Sequence, residues 1–186
     1  ELFHRIAHTA VHSIGAMSAC VYECMDGGRL RGAAVEGLFP PQRRQPFDPD
    51  SNNETRARFL EKVLRSEILE PGEGVVGEVA RTGKPVIIQD AVNDPRIARH
   101  ADPALAVRSI IFSPMRFDDQ TIGVLAVANP SNGLPFTEND FSLVSSLAEQ
   151  ASLAVRNSDV MHLRIEKNRL EMDLSLASNV QALFLT

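Results

Sequence analysis

Three histidines, His4, His8 and His12, recur every four residues near the start of the chain. On a helix that spacing puts them on one face, which a metal site requires. The apolar stripe of Leu2, Phe3, Ile6, Ala10 and Ile14 lies elsewhere on the same helix, so the histidines read as a solvated or interfacial face. Cys20 and Cys24 lie four apart on an extended segment, hence on one side of a strand. Two cysteines are too few for a disulfide scaffold, and both read as small core hydrophobes. The glycines of PGEGVVGEV, Gly72, Gly74 and Gly77, suggest a phosphate cradle at a helix start. No Lys-Ser/Thr pair closes that phrase and no buried parallel strand precedes it. Gly72 and Gly74 are therefore expected to form turns, and Gly77 to mark a close helix–sheet contact.

The composition excludes several classes. The 186 residues are 44% hydrophobic and 23% charged, with a net charge of -5. A globule of this balance lacks the broad basic face of a nucleic-acid binder. No apolar run approaches the roughly 18 residues needed to cross a bilayer. No signal peptide is visible and the chain starts at Glu1 without Met, as expected of a fragment cut from a larger cytoplasmic protein. Tryptophan is absent, and aromatics at 5% offer no aromatic cage.

The elements that must position these residues follow in order. A first helix ends at Gly15. Met17 to Met25 reads as a strand, Asp26-Gly27-Gly28 as a turn, and Arg29 to Glu36 as the return strand. Four prolines keep LFPPQRRQPFDPDSNN irregular. ETRARFLEKVLRSEIL reads as a helix. Val75 to Arg81 is a short helix closed by Gly83, and PVIIQ a short strand. VRSIIFSPMRF and TIGVLAVANP form two apolar strands joined at Asp118-Asp119-Gln120, the second continuous enough to be covered on both faces. The class is α+β: about five strands on this count, in antiparallel hairpins, with helices before, between and after.

The last third is different. Thr137 is an N-cap, with Asp140 three residues on. From Glu138 to Leu185 there is neither Gly nor Pro, and a helix over that stretch runs roughly 70 Å. A small domain cannot cover it. One stripe is Phe141, Val144, Ala148, Ala151 and Val155. It continues as Met161, Ile165, Asn168, Met172, Leu176, Val180 and Leu183, with a mean step of about 3.67 residues, nearer an eleven-residue repeat than heptads. Leu163, Leu170, Leu174 and Phe184 widen it. The expected cover is a second copy of the chain, with Asn168 favouring parallel in-register pairing.

The phrases GEGVVGEVARTGKPVIIQDAVNDPR, RSIIFSPM, IGVLAVANP and PFTENDFSLVSSLAEQASLAVRN occur in an order and spacing that resembles the GAF domain of bacterial signalling proteins. The resemblance implies a central antiparallel sheet of about six strands flanked by helices, with N- and C-terminal helices that pair in a homodimer. It assigns residues 1–157 to a sensory domain and residues 158–186 to a coiled-coil linker. LEMDLSLASNVQALFLT resembles the helix leading into PPM-type (SpoIIE/RsbU-like) serine phosphatase domains, through Leu170, Leu174, Leu176, Ala177, Val180, Gln181 and Leu183. Thr186 stands where that pattern has Pro.

The family's pocket lies between the sheet and the segment from about Asp90 to Arg108. Asp90, Asp94, Ile97, His100, Arg108, Ile110 and Phe112 are its candidate lining. Arg108 suits a carboxylate or phosphate, or else pairs with Asp90 or Asp94 and closes an empty site. The cyclic-GMP signature of some relatives keeps Asn129, Phe136 and Asp140, but Pro130 and Phe141 replace its Lys and Glu, so its ion pair cannot form. Asp140 reads instead as a helix-capping residue. Neither cysteine precedes a His, as covalent bilin attachment commonly needs. No cofactor or metal is required, and no nucleic-acid or membrane partner is expected. The chain is expected to be regulatory, feeding an absent output domain: a PPM-type phosphatase acting on an anti-anti-sigma-type protein. The alternatives are a small-molecule sensor of a histidine kinase or cyclase, binding a cyclic nucleotide or metabolite, and a thiol-dependent GAF reductase.

Overall fold

The computed structural model describes residues 1–43 and 53–184. Most of the Pro-rich segment, residues 44–52, lies outside the described residues, as do Leu185 and Thr186. The chain divides into two units, Glu1–Ser152 and Leu153–Thr186.

The first unit holds α1 (Leu2–Ile14), β1 (Ala16–Cys24), β2 (Leu30–Glu36), α2 (Asn53–Ser66), β3 (Ile68–Leu69), α3 (Gly74–Thr82), β4 (Val86–Ile88), β5 (Ile110–Phe117), β6 (Gln120–Pro130) and the start of α4 (Glu138–Phe184). The strands form one six-stranded sheet in the order β3-β2-β1-β6-β5-β4, every neighbouring pair antiparallel. The apolar run of β6 earns its central place between β1 and β5, and is buried from Gly123 to Pro130.

The turns follow local chemistry. Gly15 ends α1 at φ 76°, donating its N–H to the Val11 carbonyl. Gly83 ends α3 the same way at φ 69°, where only a residue tolerant of left-handed backbone fits without strain. Asp118 and Asp119 both have positive φ, 49° and 61°. They form the two-residue turn of the β5–β6 hairpin, whose twist suits the flanking strands.

Two expectations need correction. The second helix stops at Ser66 instead of continuing through Leu69. Ile68 and Leu69 leave it to pair with Arg31 and Leu30 as the sixth strand, because the sheet edge supplies backbone partners that a further helical turn would not. Gly77 is tightly packed, but not against the sheet. A methyl group there would come 2.9 Å from the Gly72 carbonyl carbon and 3.0 Å from the Glu70 oxygen, so the close contact is between α3 and its own preceding turn.

The sheet is covered on both faces. Cys20, Tyr22, Ile110, Phe112, Val124 and Ala126 share one core cluster with Leu64 of α2 and Val75, Val76 and Val79 of α3. By strand alternation Ala19, Val21, Ile111, Leu125 and Val127, all buried, point the other way. On α1, Ile6, Ala7 and Ala10 are buried. Gly32 lets α2 approach β2, since a methyl group there would lie 2.6 Å from the Leu64 carbonyl oxygen.

The start of α4 has a reciprocal cap. Thr137 N–H donates to Asp140 Oδ2 at 2.8 Å, and Asp140 N–H donates to Thr137 Oγ1 at 3.1 Å. Val144, Ala148 and Ala151 are buried. The buried Ser152 hydroxyl donates to the Arg116 carbonyl at 2.7 Å, tying the helix to β5.

The second unit is helical through Phe184, and every residue from Asp159 to Phe184 is exposed. No described helix is long and apolar enough to cross a membrane.

Candidate functional site

The sheet face beneath α2 and α3 carries the main apolar core, with a few polar groups inside it. β1 contributes Cys20 and Tyr22, β5 contributes Ile110 and Phe112, and β6 contributes Val124 and Ala126. Phe39 drops onto this face, its ring edge-on to Tyr22 at a centroid distance of 6.4 Å. Pro40 and Pro41 are buried beside it in sequence.

The polar groups are Tyr22, Cys20 and Glu67. The Tyr22 hydroxyl is fully buried and makes no hydrogen bond of good geometry among the described residues, although the Cys20 thiol and the Gln42 side chain lie beside it. Burial pushes its titration well above the ordinary value, and the neighbouring Cys20 and Glu67 add to the effect. Burial also pushes the Cys20 thiol up. Glu67, only 4% exposed, accepts the backbone N–H of Gln42 at 3.1 Å and of Arg43 at 3.2 Å. Its carboxyl is still held above the ordinary value, because desolvation outweighs those two amides. The Arg43 guanidinium reaches Glu73 and the Ile68 carbonyl.

Two segments lie against this core and are latched together. His100 Nε2 lies 2.8 Å from the Pro41 carbonyl. A carbonyl only accepts, so Nε2 carries the proton. The cover is tied down at its end by Asn129, which sits at φ 59°. Asn129 Oδ1 accepts the Arg108 amide at 2.8 Å, and Nδ2 donates to the Ala106 carbonyl at 2.8 Å. The Ser109 hydroxyl accepts the Phe136 amide at 3.0 Å, and Gln89 donates to the Phe136 carbonyl at 2.9 Å. A continuous set of bonds thus runs from the cover segment to the residue preceding the Thr137 cap.

Of the candidate lining, Ile110 and Phe112 are wholly buried in the core cluster, Ile97 packs against it, and His100 forms the latch. The other three are placed elsewhere. Asp90 is exposed and accepts from Asn93 Nδ2 at 2.8 Å. Asp94 is engaged by Arg96 through its amide, Nε and Nη2, which holds its carboxyl below the ordinary value. The Arg108 guanidinium turns to Met17 Sδ at 3.6 Å and the Pro130 carbonyl at 3.4 Å, pairing with neither Asp90 nor Asp94. Asn129, Phe136 and Asp140, the three residues kept from the cyclic-GMP signature, all have structural work: a clamp, a core side chain and a cap.

Tyr22, Glu67 and Phe39 were not among the sequence candidates. Tyr22 was within reach, as the only tyrosine and on the same strand face as Cys20. Glu67 was not, because its partners are backbone amides.

A family model described as GAF domain matches residues 1–156. The dual 3',5'-cyclic-AMP and -GMP phosphodiesterase 11 of Drosophila melanogaster is 33% identical over 110 residues, 56% of this chain and 8% of that protein. The related phosphodiesterase 11A of Takifugu rubripes is 33% identical over 101 residues, 53% of this chain and 11% of that protein. Among solved structures, the second GAF domain of DevS from Mycobacterium smegmatis superposes with a TM-score of 0.63 at 19% identity, covering 88% of this chain and 96% of that one. That likeness is one of fold. With a family model matching residues 1–156 and a six-stranded antiparallel sheet flanked by helices, the chain belongs to the GAF domain family.

Proposed function

We propose that this GAF domain is a regulatory relay of a bacterial cytoplasmic signalling protein, pairing with a second copy and passing a signal along α4 to an output domain. The observation that carries the reading is the uncovered stripe on α4. Met161, Ile165, Met172, Leu176, Val180 and Leu183 are each between 51% and 77% exposed in the single chain. So large an apolar surface on a lone helix is an aggregation liability, and a second identical helix buries it. The output domain we favour is a PPM-type serine phosphatase acting on an anti-anti-sigma-type protein. Support for that choice is the linker pattern through Leu170, Leu174, Leu176, Ala177, Val180, Gln181 and Leu183.

The hypothesised signal path is physical. Movement of the cover segment pulls on Asn129 and on the Ser109–Phe136 bond, and both lead to the start of α4. A seam with a polar Asn168 and a step off the heptad supports two pairings of similar energy. Sedimentation at micromolar concentration tests the pairing: a particle of twice 20.4 kDa is expected, and a single chain overturns it. Phosphatase assays on the full-length protein with Ile165→Asp test the output. Unchanged regulation there would separate the seam from signalling.

A second reading, a small-molecule sensor, rests on Tyr22. A buried hydroxyl with only a thiol and one carboxamide beside it, and no well-formed bond to either, suits a polar ligand or an ordered water. Thermal-shift screening with metabolites and cyclic nucleotides, repeated on Tyr22→Phe, tests it. Thiol chemistry has less support. Burial pushes both Cys20 and Cys24 upward, and a neutral thiol is a poor nucleophile.

A further inference from the structure

On the outer side of α1, His8 and His12 sit one turn apart with their ring centroids 4.1 Å from each other. Glu36, the last residue of β2, reaches the same spot, its Oε1 3.2 Å from His8 Nδ1. One ligand atom from each of the three lies within 4.8 Å of the other two. His4, the third member of the sequence series, is not part of this group; its Nε2 lies 3.4 Å from the Arg65 guanidinium.

We propose that His8, His12 and Glu36 form a divalent transition-metal site of the Zn2+ class. The donor set is two imidazoles and one carboxylate, which suits a borderline ion that takes nitrogen and oxygen together. The spacing suits it as well. Two ligands about 2.0–2.1 Å from a tetrahedral Zn2+ lie about 3.3 Å apart, close to the 3.2 Å between His8 and Glu36. The remaining separation is within what an exposed histidine rotamer can take up. Both histidines are exposed and Glu36 is half-buried, so an ion can enter without moving the core, and a fourth position stays open to water. The ligands come from two elements 28 residues apart. An ion bound there staples α1 to the end of β2.

Titration of the tag-free full chain with ZnCl2 at about pH 7.5, where free imidazoles are mostly neutral, tests the proposal by calorimetry and melting temperature. One Zn2+ per chain is expected, with a rise in melting temperature. His8→Ala and His12→Ala should each weaken binding at least tenfold and abolish that rise, and Glu36→Gln should weaken binding severalfold. His4→Ala, His162→Ala and Cys24→Ser should bind as the parent does. Co2+ in place of Zn2+ should give the visible absorption of a tetrahedral ion, lost in His12→Ala. The exposed positions of His8 and His12 keep the fold intact, which far-ultraviolet circular dichroism checks. No heat of binding at millimolar Zn2+ overturns the proposal. So does one ion per two chains, binding that survives His8→Ala and His12→Ala, or an equal loss in His4→Ala.

Discussion

The Asn129 carboxamide oxygen accepts the Arg108 amide at 2.8 Å, and so the end of β6 holds the last residue of the cover. The same side chain donates to Ala106, and its backbone sits in the left-handed region at φ 59°. Asn tolerates that conformation better than other side chains. Asn129→Ala should lower the unfolding free energy by about 2–3 kcal/mol, from buried groups left unsatisfied and backbone strain. Asn129→Gly should lose the bonds but not incur the strain. Urea denaturation of both variants checks this; equal costs would show that the strain contributes nothing.

The Thr137–Asp140 cap should behave as one unit. Thr137→Ala and Asp140→Ala should each cost about 1 kcal/mol, and the double variant less than their sum, since each side chain satisfies the other's amide. Neither should change any affinity for cyclic GMP. A double-mutant cycle with no coupling would contradict the reciprocal geometry.

Glu67 should make stability depend on pH in the direction opposite to a salt-bridged carboxylate. Its folded pKa is raised by desolvation, so the folded state holds the proton more tightly than the unfolded chain. The resulting stabilisation is fully present below the unfolded value, about 4.3, and is lost as pH rises through the folded value. Glu67→Gln turns an amide NH2 toward one of the two backbone donors and should cost about 1–2 kcal/mol. The advantage of the parent over this variant should shrink as pH rises above the unfolded value. An advantage that grows with pH would refute the assignment.

What could be read from the chain beforehand was local. The β5–β6 pair, the short helix closed by Gly83 and the Thr137 cap each depend on a few adjacent residues. The sixth strand could not be read, because Ile68 and Leu69 continue the apolar spacing of α2 and become a strand only by meeting Leu30 and Arg31. The Glu67 environment was hidden for a related reason: its ligands are the peptide groups of Gln42 and Arg43, which no side-chain pattern announces. The meeting of His8 with Glu36 needs the whole β1–β2 hairpin folded beneath α1.

Asn168 gives the test of the stripe. Asn168→Leu should tighten self-association at least tenfold and raise the melting temperature of the assembly, because a polar group at a seam position lowers stability while selecting register. In the full-length protein the same change should blunt regulation by holding one pairing. Sedimentation equilibrium over a concentration series checks the first claim. An unaltered Kd would remove Asn168 from the contact.

The two outermost strands are also the shortest, Ile68–Leu69 and Val86–Ile88. An open row of peptide groups invites a neighbouring molecule to dock alongside and extend the ladder indefinitely. With only two or three residues on either flank, such fibrous growth has almost no template. Side-by-side pairing of sheets is thereby a poor route to assembly for this domain.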